Sequence, residues 1–151
     1  MNKALATKLH NQSVDLIIDK FIGRGTPAYK SQSLSYDIIL GDIRCKVLAH
    51  QNRVVYGKYS VIVEYATDAH DLASMDYDVV LYRNILNDGT PDKFYMIPKD
   101  TLLNQINMKI KDHNPHYQYV HKDCELTNAA CLVAITEAAF ARIEGIEIFN
   151  L

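Results

Sequence analysis

The sequence predicts an α/β fold of the mixed α+β kind. We expect a central mixed sheet of about five strands that starts with an antiparallel hairpin meander, flanked by an N-terminal helix and C-terminal helices. Three observations predict it. Apolar residues recur at helical spacing near both ends of the chain, strand-like apolar runs lie between them, and Gly-containing turns separate those runs.

The individual elements follow from these patterns. The first helix is predicted over 2–21, because its apolar residues share one face and Gly23 and Gly25 follow it. The Gly41-Asp42 turn joins the first two predicted strands. The strands are predicted at 35–40, 43–49, 58–65, 76–83 and 93–97, and further helices at 101–111 and 127–143.

The composition is that of a globular protein. With 151 residues, 48% of them hydrophobic and 23% charged, the chain is long enough to bury a core and is predicted to form one domain over 1–151. Its three cysteines, an odd number, predict reduced thiols. The apolar runs are too short to span a membrane and the N-terminus has no signal-peptide core, so we expect a cytoplasmic protein without a membrane partner.

Charge is distributed unevenly along the sequence. The first 60 residues carry nine Lys and Arg against four acidic residues, and the remainder carries seven basic against fourteen acidic residues. This asymmetry is compatible with a polyanion approaching a surface built by the first part of the chain. Chance variation of surface charge explains it equally well.

The order of the strand patterns is similar to that of one family. YDIIL at 36–40 and IRCKV at 43–47 are joined by a turn, and a strand at 59–65, YDVVL at 77–81 and FYMIP at 94–98 follow. This arrangement resembles the core of the PD-(D/E)XK nuclease-like superfamily, over residues 2–100. The resemblance implies a restriction-endonuclease-like fold and a protein that acts on DNA.

The resemblance also implies a catalytic site on the hairpin. Asp37 matches the aspartate that opens the first hairpin strand in the family, and Lys46 matches the lysine of the acid-x-Lys triplet on the second strand. In such sites two carboxylates hold Mg²⁺, the metal polarises a phosphodiester and activates water, and the lysine supports the nucleophile or the developing charge. The implied activity is that of a Mg²⁺-dependent endonuclease.

The middle acid of the triplet is missing, so the motif is degenerate. Arg44 takes its place, and this fixed cation does not ligate a metal and repels Mg²⁺ at close range. Asp42 in the turn or Glu64 on a neighbouring strand could supply the missing oxygen. Asp37 and Asp42 are then the candidate metal ligands. The candidate catalytic residues are Asp37, Asp42, Lys46 and Glu64.

Two other interpretations stay open. Asp15 and Asp19, one turn apart on the first helix, could contribute an acid, as a helix acid does in many family members. Alternatively, the fold is retained without catalysis, and its basic side chains bind phosphate or a protein partner. The candidate nucleic-acid-binding residues are Arg44, Arg53 and Lys58. This second protein would be an inactive nuclease-fold module within a larger assembly, and it could form a homodimer.

Two further patterns carry weaker signals. The pairs His113/His116 and His121/Cys124 have ligand types that Zn²⁺ accepts, but they lie closer together than in most structural zinc sites, so a surface loop is favoured over Zn²⁺. The chain has ten tyrosines and no tryptophan. Those that lie among basic residues are suited to stacking on unpaired bases, although strand packing explains them equally well; they include Tyr29, Tyr36, Tyr56 and Tyr59.

Overall fold

A computed structural model of the chain describes residues 3–51, 54–55, 58–64, 70–87, 89–112, 132–136, 142 and 145–150. The helices are α1 (Lys3–Gly23), α2 (His70–Ser74) and α3 (Lys99–Asp112). The strands are β1 (Ala28–Lys30), β2 (Ile38–Leu40), β3 (Ile43–Gln51), β4 (Val54–Val55), β5 (Lys58–Glu64), β6 (Val79–Ile85), β7 (Lys93–Pro98), β8 (Leu132–Thr136) and β9 (Glu147–Asn150).

The chain forms two compact units. Unit 1 comprises Met1–Asn52, Asp76–Pro98 and Gly145–Leu151, and unit 2 comprises Arg53–Met75 and Lys99–Glu144. The assignment of 1–151 to one domain stays a prediction. In the described part of the chain, no helix is both long and apolar enough to cross a membrane.

Unit 1 is built on a six-stranded mixed sheet with the order β1-β2-β3-β6-β7-β9. β3 and β6 pair parallel, with Cys45 opposite Val79 and Gln51 opposite Ile85. The other neighbouring strands pair antiparallel. A parallel pair needs a long crossover connection, and here the chain between β3 and β6 passes through unit 2.

α1 packs its apolar face on one side of this sheet. Val14, Ile17 and Phe21 are 5%, 0% and 7% exposed, and their three- and four-residue spacing places them on one helical stripe. They share a core cluster with buried residues of the sheet: Ile38, Leu40, Cys45, Val47, Leu81 and Phe94. Phe94 stacks on Phe149 of β9 with ring centroids 4.7 Å apart, which extends the core to the far edge of the sheet.

A polar network also connects α1 with the β6–β7 hairpin. The Arg83 guanidinium forms an ion pair with Asp92, and its Nη1 donates to Ser13 Oγ at 2.9 Å. Ser13 is fully buried, and the side chains of Arg83 and Asp92 are 12% and 19% exposed. Asp92 Oδ1 also accepts the amide of Leu86 at 3.2 Å, so the Arg83 guanidinium and the Leu86 amide both depend on this one carboxylate.

Unit 2 contains a three-stranded antiparallel sheet with the order β4-β5-β8. Ser60 of β5 pairs with Thr136 of β8, and Glu64 pairs with Leu132. In the same unit, Nζ of Lys99 at the start of α3 donates to the Met75 carbonyl at 2.6 Å.

The predicted fold class is confirmed, and the main sheet has six strands where about five were expected. The third predicted strand exists as β5 but lies in the other sheet, and β3 pairs with β6 instead. The apolar and β-branched residues of this segment, with Tyr59, Val61 and Val63 at every second position, identify a strand, yet they carry no information about the partner strand.

The final predicted helix is wrong where it can be compared. Residues Leu132–Thr136 form β8, whereas most of the remaining range 127–143 lies outside the described residues. The segment LVAIT is short and apolar up to its final threonine, which fits a buried strand as well as a helix, and its β-branched residues favour the strand. β1 and β9 lie where the sequence analysis expected no strand.

Candidate functional site

A tight hairpin positions the candidate site in unit 1. β2 and β3 pair with Ile38 opposite Cys45, and Gly41 makes the turn with a φ of 66°, which glycine adopts without strain. Asp37 immediately precedes β2, and Lys46 immediately follows Cys45 on β3. Asp37 and Lys46 therefore flank the last pair of this register, Ile38 and Cys45.

Hydrogen bonds hold the Asp37 carboxylate in place. Its Oδ2 accepts the amide of Val47 at 2.7 Å, and its Oδ1 lies 3.3 Å from His10 Nε2. The Asp37 amide donates to the Cys45 carbonyl at 2.8 Å. Because β2 begins only at Ile38, the carboxylate takes the role that a strand carbonyl has further along the ladder.

α1 supplies the histidine of this site. His10 lies one helical turn before Val14, whose side chain packs in the core with Cys45 and Val47. Because that face of α1 packs against β3, His10 lies next to Asp37. The two side chains are 37% and 25% exposed, so the pair lies at the surface of the unit and is open to a ligand.

Opposing effects act on the pKa of Asp37. Burial raises it, but hydrogen bonds from His10 and the Val47 amide and the charges of His10 and Lys46 outweigh burial, and the pKa falls below its usual 3.8. The charge of Lys46 helps to lower the pKa of Asp37 and also lowers the pKa of His10, so its ammonium group lies within electrostatic range of both side chains.

The pKa of His10 is raised above its usual 6.5. The hydrogen bond to Asp37 is the largest cause, burial opposes it, and the charge of Asp37 and a hydrogen bond with Asn11 add to the increase. His10 therefore carries a proton over a wider pH range than a free histidine, and it forms an ion pair with Asp37 in slightly acidic solution.

This pair predicts a pH-dependent contribution to stability. A raised histidine pKa stabilises the folded state fully below pH 6.5, and the contribution is lost as the pH rises through the folded pKa. A lowered aspartate pKa stabilises above pH 3.8, and this contribution is lost as the pH falls through the folded pKa. The difference in unfolding free energy between the wild type and His10→Gln should thus be largest between pH 3.8 and 6.5.

Urea unfolding of both proteins across pH 3 to 9 measures this difference. The contributions of the other five histidines to the pH dependence are common to both proteins and cancel in the difference. Asp37→Asn should abolish the pH dependence of the difference. A difference that stays constant, or that grows above pH 7, would contradict the ion pair.

A pocket of about 170 Å³ opens beside the pair. One wall is α1, through His10, Asn11 and Val14, and the other is formed by Lys30, Ser31, Ser33, Tyr36 and Asp37 from the segment that leads into β2. Lys30 also forms an ion pair with Asp15 of α1 at 2.9 Å, so the charges of both are locally balanced. The candidate site is therefore a small polar pocket with the predicted aspartate in its wall.

Arg44 is held by two carboxylates. Its Nε and Nη2 donate to Asp78 at 3.2 and 2.9 Å, its amide donates to the same carboxylate at 2.8 Å, and Nη1 lies 2.7 Å from Asp76. The hydrogen bond from Arg44 is the largest cause of the lowered pKa of Asp78. Arg44 is 35% exposed, and we call this arrangement the Arg44 clamp. Its predicted role in nucleic-acid binding stays a prediction.

Asp42 lies in the hairpin turn, at the opposite end of β2 from Asp37. At about 3.3 Å per residue, roughly 10 Å of strand separates the two ends. This separation argues against one metal ion shared by both carboxylates. The catalytic and metal-binding roles of Asp42 stay predictions.

The remaining predicted site residues belong to unit 2 or lie outside the described residues. Lys58 and Glu64 are the first and last residues of β5 in unit 2, and their side chains are outside the described part of the structure. Arg53 is also outside it, as are the candidate zinc residues His113, His116, His121 and Cys124.

The charge asymmetry of the sequence is not an asymmetry between the units. Unit 1 carries nine Lys and Arg and nine acidic residues, because its segment 76–98 adds acids beside the basic N-terminal part. Any attraction to a polyanion must therefore come from local placement of cations, such as Lys46, and not from the net charge of the unit.

The described residues contain no group of three or more His, Cys, Asp and Glu side chains that could hold a metal ion. At the candidate site the predicted oxygen ligand is Asp37, which already binds His10 and the Val47 amide. Mg²⁺ is often held by one or two carboxylates together with substrate phosphates. Asp37 is therefore better suited to a Mg²⁺ ion that also has phosphate oxygens as ligands than to a Mg²⁺ ion bound by the protein alone.

His10 and the carboxylates of the Arg44 clamp were missed by sequence reasoning. His10 could have been found, since it shares the helical stripe of Val14 and Ile17 that docks on the hairpin. Cys45 is buried, and burial raises the pKa of its thiol to about 12, so this cysteine is neither a thiolate ligand nor a nucleophile at neutral pH.

Comparisons with known proteins place this geometry in context. No protein-family model matches the chain, and no curated protein matches it. Among solved structures, the bacterial homing endonuclease I-Ssp6803I is 15% identical, with a TM-score of 0.46 over 65% of this chain and 72% of that one. A restriction endonuclease solved with substrate DNA is 14% identical, with a TM-score of 0.47 over 100% and 72% of the two chains. Similarity at this level assigns neither family nor function.

Proposed function

We propose that this protein acts on DNA through the hairpin site of unit 1. The observation that supports this most directly is the ion pair of Asp37 with His10 at the end of the β2–β3 hairpin, beside a pocket that both line, where the charge of Lys46 acts on both side chains. An aspartate, a lysine and a histidine at one surface site provide a phosphate contact and two groups able to exchange protons.

Lys46 is the residue we assign to the phosphate. Its charge acts on both Asp37 and His10, and its side chain is only partly buried. The ammonium group of a lysine binds phosphate as a point charge and does not read sequence. Because unit 1 has balanced charge and Arg44 is held by Asp76 and Asp78, we expect few phosphate contacts and weak binding.

Charge reversal at Lys46 tests this assignment. Lys46→Glu should weaken binding to duplex and branched DNA alike, and it should reduce the slope of log affinity against log salt by about 0.9, the value for one phosphate contact. Fluorescence anisotropy of labelled DNA over a salt series measures both quantities.

Lys20→Glu is the matched control. Lys20 is on the same helix as His10, about 15 Å further along its axis, so it carries the same charge change outside the site. Equal weakening by both variants would indicate general repulsion and contradict a site at Lys46. Absence of wild-type binding even at low salt would contradict the proposed function itself.

The same DNA also decides between two forms of this function. One is Mg²⁺-dependent cleavage of the phosphodiester, favoured by the proximity of Asp37, His10 and Lys46. Nicking in Mg²⁺ or Mn²⁺ that disappears in Asp37→Asn would support it, because asparagine keeps the shape and removes the charge. DNA that is bound and stays intact would support the catalytically inactive nucleic-acid-binding module.

A further inference from the structure

The pocket beside Asp37 has a composition suited to a flat, neutral, hydrogen-bonding ligand. Its walls carry the phenol ring of Tyr36 and the imidazole of His10, a buried apolar side chain, Val14, and the amide of Asn11. Its volume of about 170 Å³ is roughly ten times what one water molecule requires. The space is therefore large enough for a planar ring and too large for a single ion or water.

We propose that this pocket receives one unpaired nucleobase, so that the DNA on which the protein acts is single-stranded or carries an unpaired base next to the bound phosphodiester. This inference rests on the proposed function and names the class of DNA that the site selects. In this proposal the Tyr36 ring stacks on the base, and the polar side chains of the wall form hydrogen bonds with the edge of the base.

The Tyr36 ring is held in position by the Arg44 clamp. The Arg44 guanidinium carbon lies 6.0 Å from the ring centroid, and ion pairs with Asp76 and Asp78 hold the guanidinium. A ring with a cation over it has a restricted orientation, and a restricted ring offers a stacking surface at lower entropic cost. Bases stack on such aromatic side chains regardless of sequence.

The charges around the pocket favour a base over a phosphate. Lys30 forms an ion pair with Asp15, and His10 forms one with Asp37, so each cation in the wall has a carboxylate beside it. A phosphate entering the pocket would approach the Asp37 carboxylate directly. A neutral base meets no such repulsion, and its amino groups can donate to carboxylate oxygens.

The segment 31–35 presents hydroxyl groups in fixed positions. Ser31 Oγ accepts the amide of Ser33 at 2.9 Å, and Ser33 Oγ accepts the amide of Ser35 at 3.0 Å. Each hydroxyl also carries one O–H donor, and Asn11 carries both donors and an acceptor. The edge of a base has the complementary mixture of donors and acceptors, whereas a phosphate has acceptors alone.

Binding of DNA with a single unpaired 2-aminopurine, a fluorescent base analogue quenched by stacking, tests the proposal. Wild-type protein should quench it and should bind this DNA about 5- to 150-fold more tightly than the fully paired duplex, the range that one stacked base accounts for. Tyr36→Leu should lose the quenching and the preference for the unpaired base. Tyr36→Phe keeps the ring and should keep both.

Tyr29→Leu is the control. Tyr29 is 54% exposed on β1 and is not part of the pocket wall, so its loss should change neither quantity. A wild-type protein that binds abasic and unpaired-base DNA equally would overturn the base pocket even if Tyr36→Leu fails to fold, and it would leave the proposed function standing. A wild-type protein that binds none of these DNAs would overturn both.

Discussion

Asp92→Ala should lower the free energy of unfolding of unit 1 by about 3 kcal/mol, the lower end of the cost of removing one partner from a buried ion pair. The lower end applies because the side chains of Arg83 and Asp92 are still 12% and 19% exposed to solvent. The variant leaves the Arg83 guanidinium without its carboxylate and the Leu86 amide without its acceptor. Urea unfolding followed by tyrosine fluorescence measures the loss.

Asp19→Ala is the matched control, because Asp19 is an exposed acid on α1. It should change the unfolding free energy by less than about 0.5 kcal/mol. The double variant Arg83→Met with Asp92→Leu removes both charges and should be more stable than Asp92→Ala alone. If Asp92→Ala unfolds at the same urea concentration as the wild type, the network does not connect α1 with the β6–β7 hairpin as described.

Arg44→Glu should destabilise the protein and create a cation site. Glutamate would put a third carboxylate between Asp76 and Asp78, in place of the cation that binds them both. We expect the melting temperature to fall by on the order of 5 °C. Added Ca²⁺, which prefers several carboxylate oxygens, should raise the melting temperature of the variant and leave that of the wild type unchanged.

Two further variants locate the cation. Arg44→Gln removes the positive charge without adding a carboxylate, so Ca²⁺ should not stabilise it. In the Arg44→Glu background, Asp78→Asn should abolish the Ca²⁺ effect and Asp37→Asn should not, because the side chain at position 44 faces Asp78. Dependence on Asp37 instead would mean that Arg44→Glu rebuilds the acid-x-Lys triplet beside Asp37, as the sequence alone suggests.

Part of the candidate site was predictable from the sequence. The turn at Gly41-Asp42 and the apolar runs on either side of it predict the hairpin, and the hairpin places Asp37 and Lys46 next to its last pair of residues, Ile38 and Cys45. His10 was not predicted to join them, because its contact with Asp37 depends on how α1 docks. The catalytic role of these residues is still a prediction.

The sequence by itself determined the elements whose signal is local. α1, the β2–β3 hairpin, β6, β7 and α3 each have an apolar periodicity and bounding turn residues within one short window. These features depend on neighbours a few residues away, so the sequence is enough to find them.

Only the tertiary structure decided which strands pair and which charges meet. The parallel pairing of β3 with β6 and the separate sheet of β5 and β8 join segments far apart in the chain. The Arg44 clamp joins residues 34 positions apart and converts a cation expected to repel a metal or grip phosphate into a partner of Asp76 and Asp78. Such contacts depend on the packing of whole elements, because an isolated strand pattern or charge is compatible with many partners.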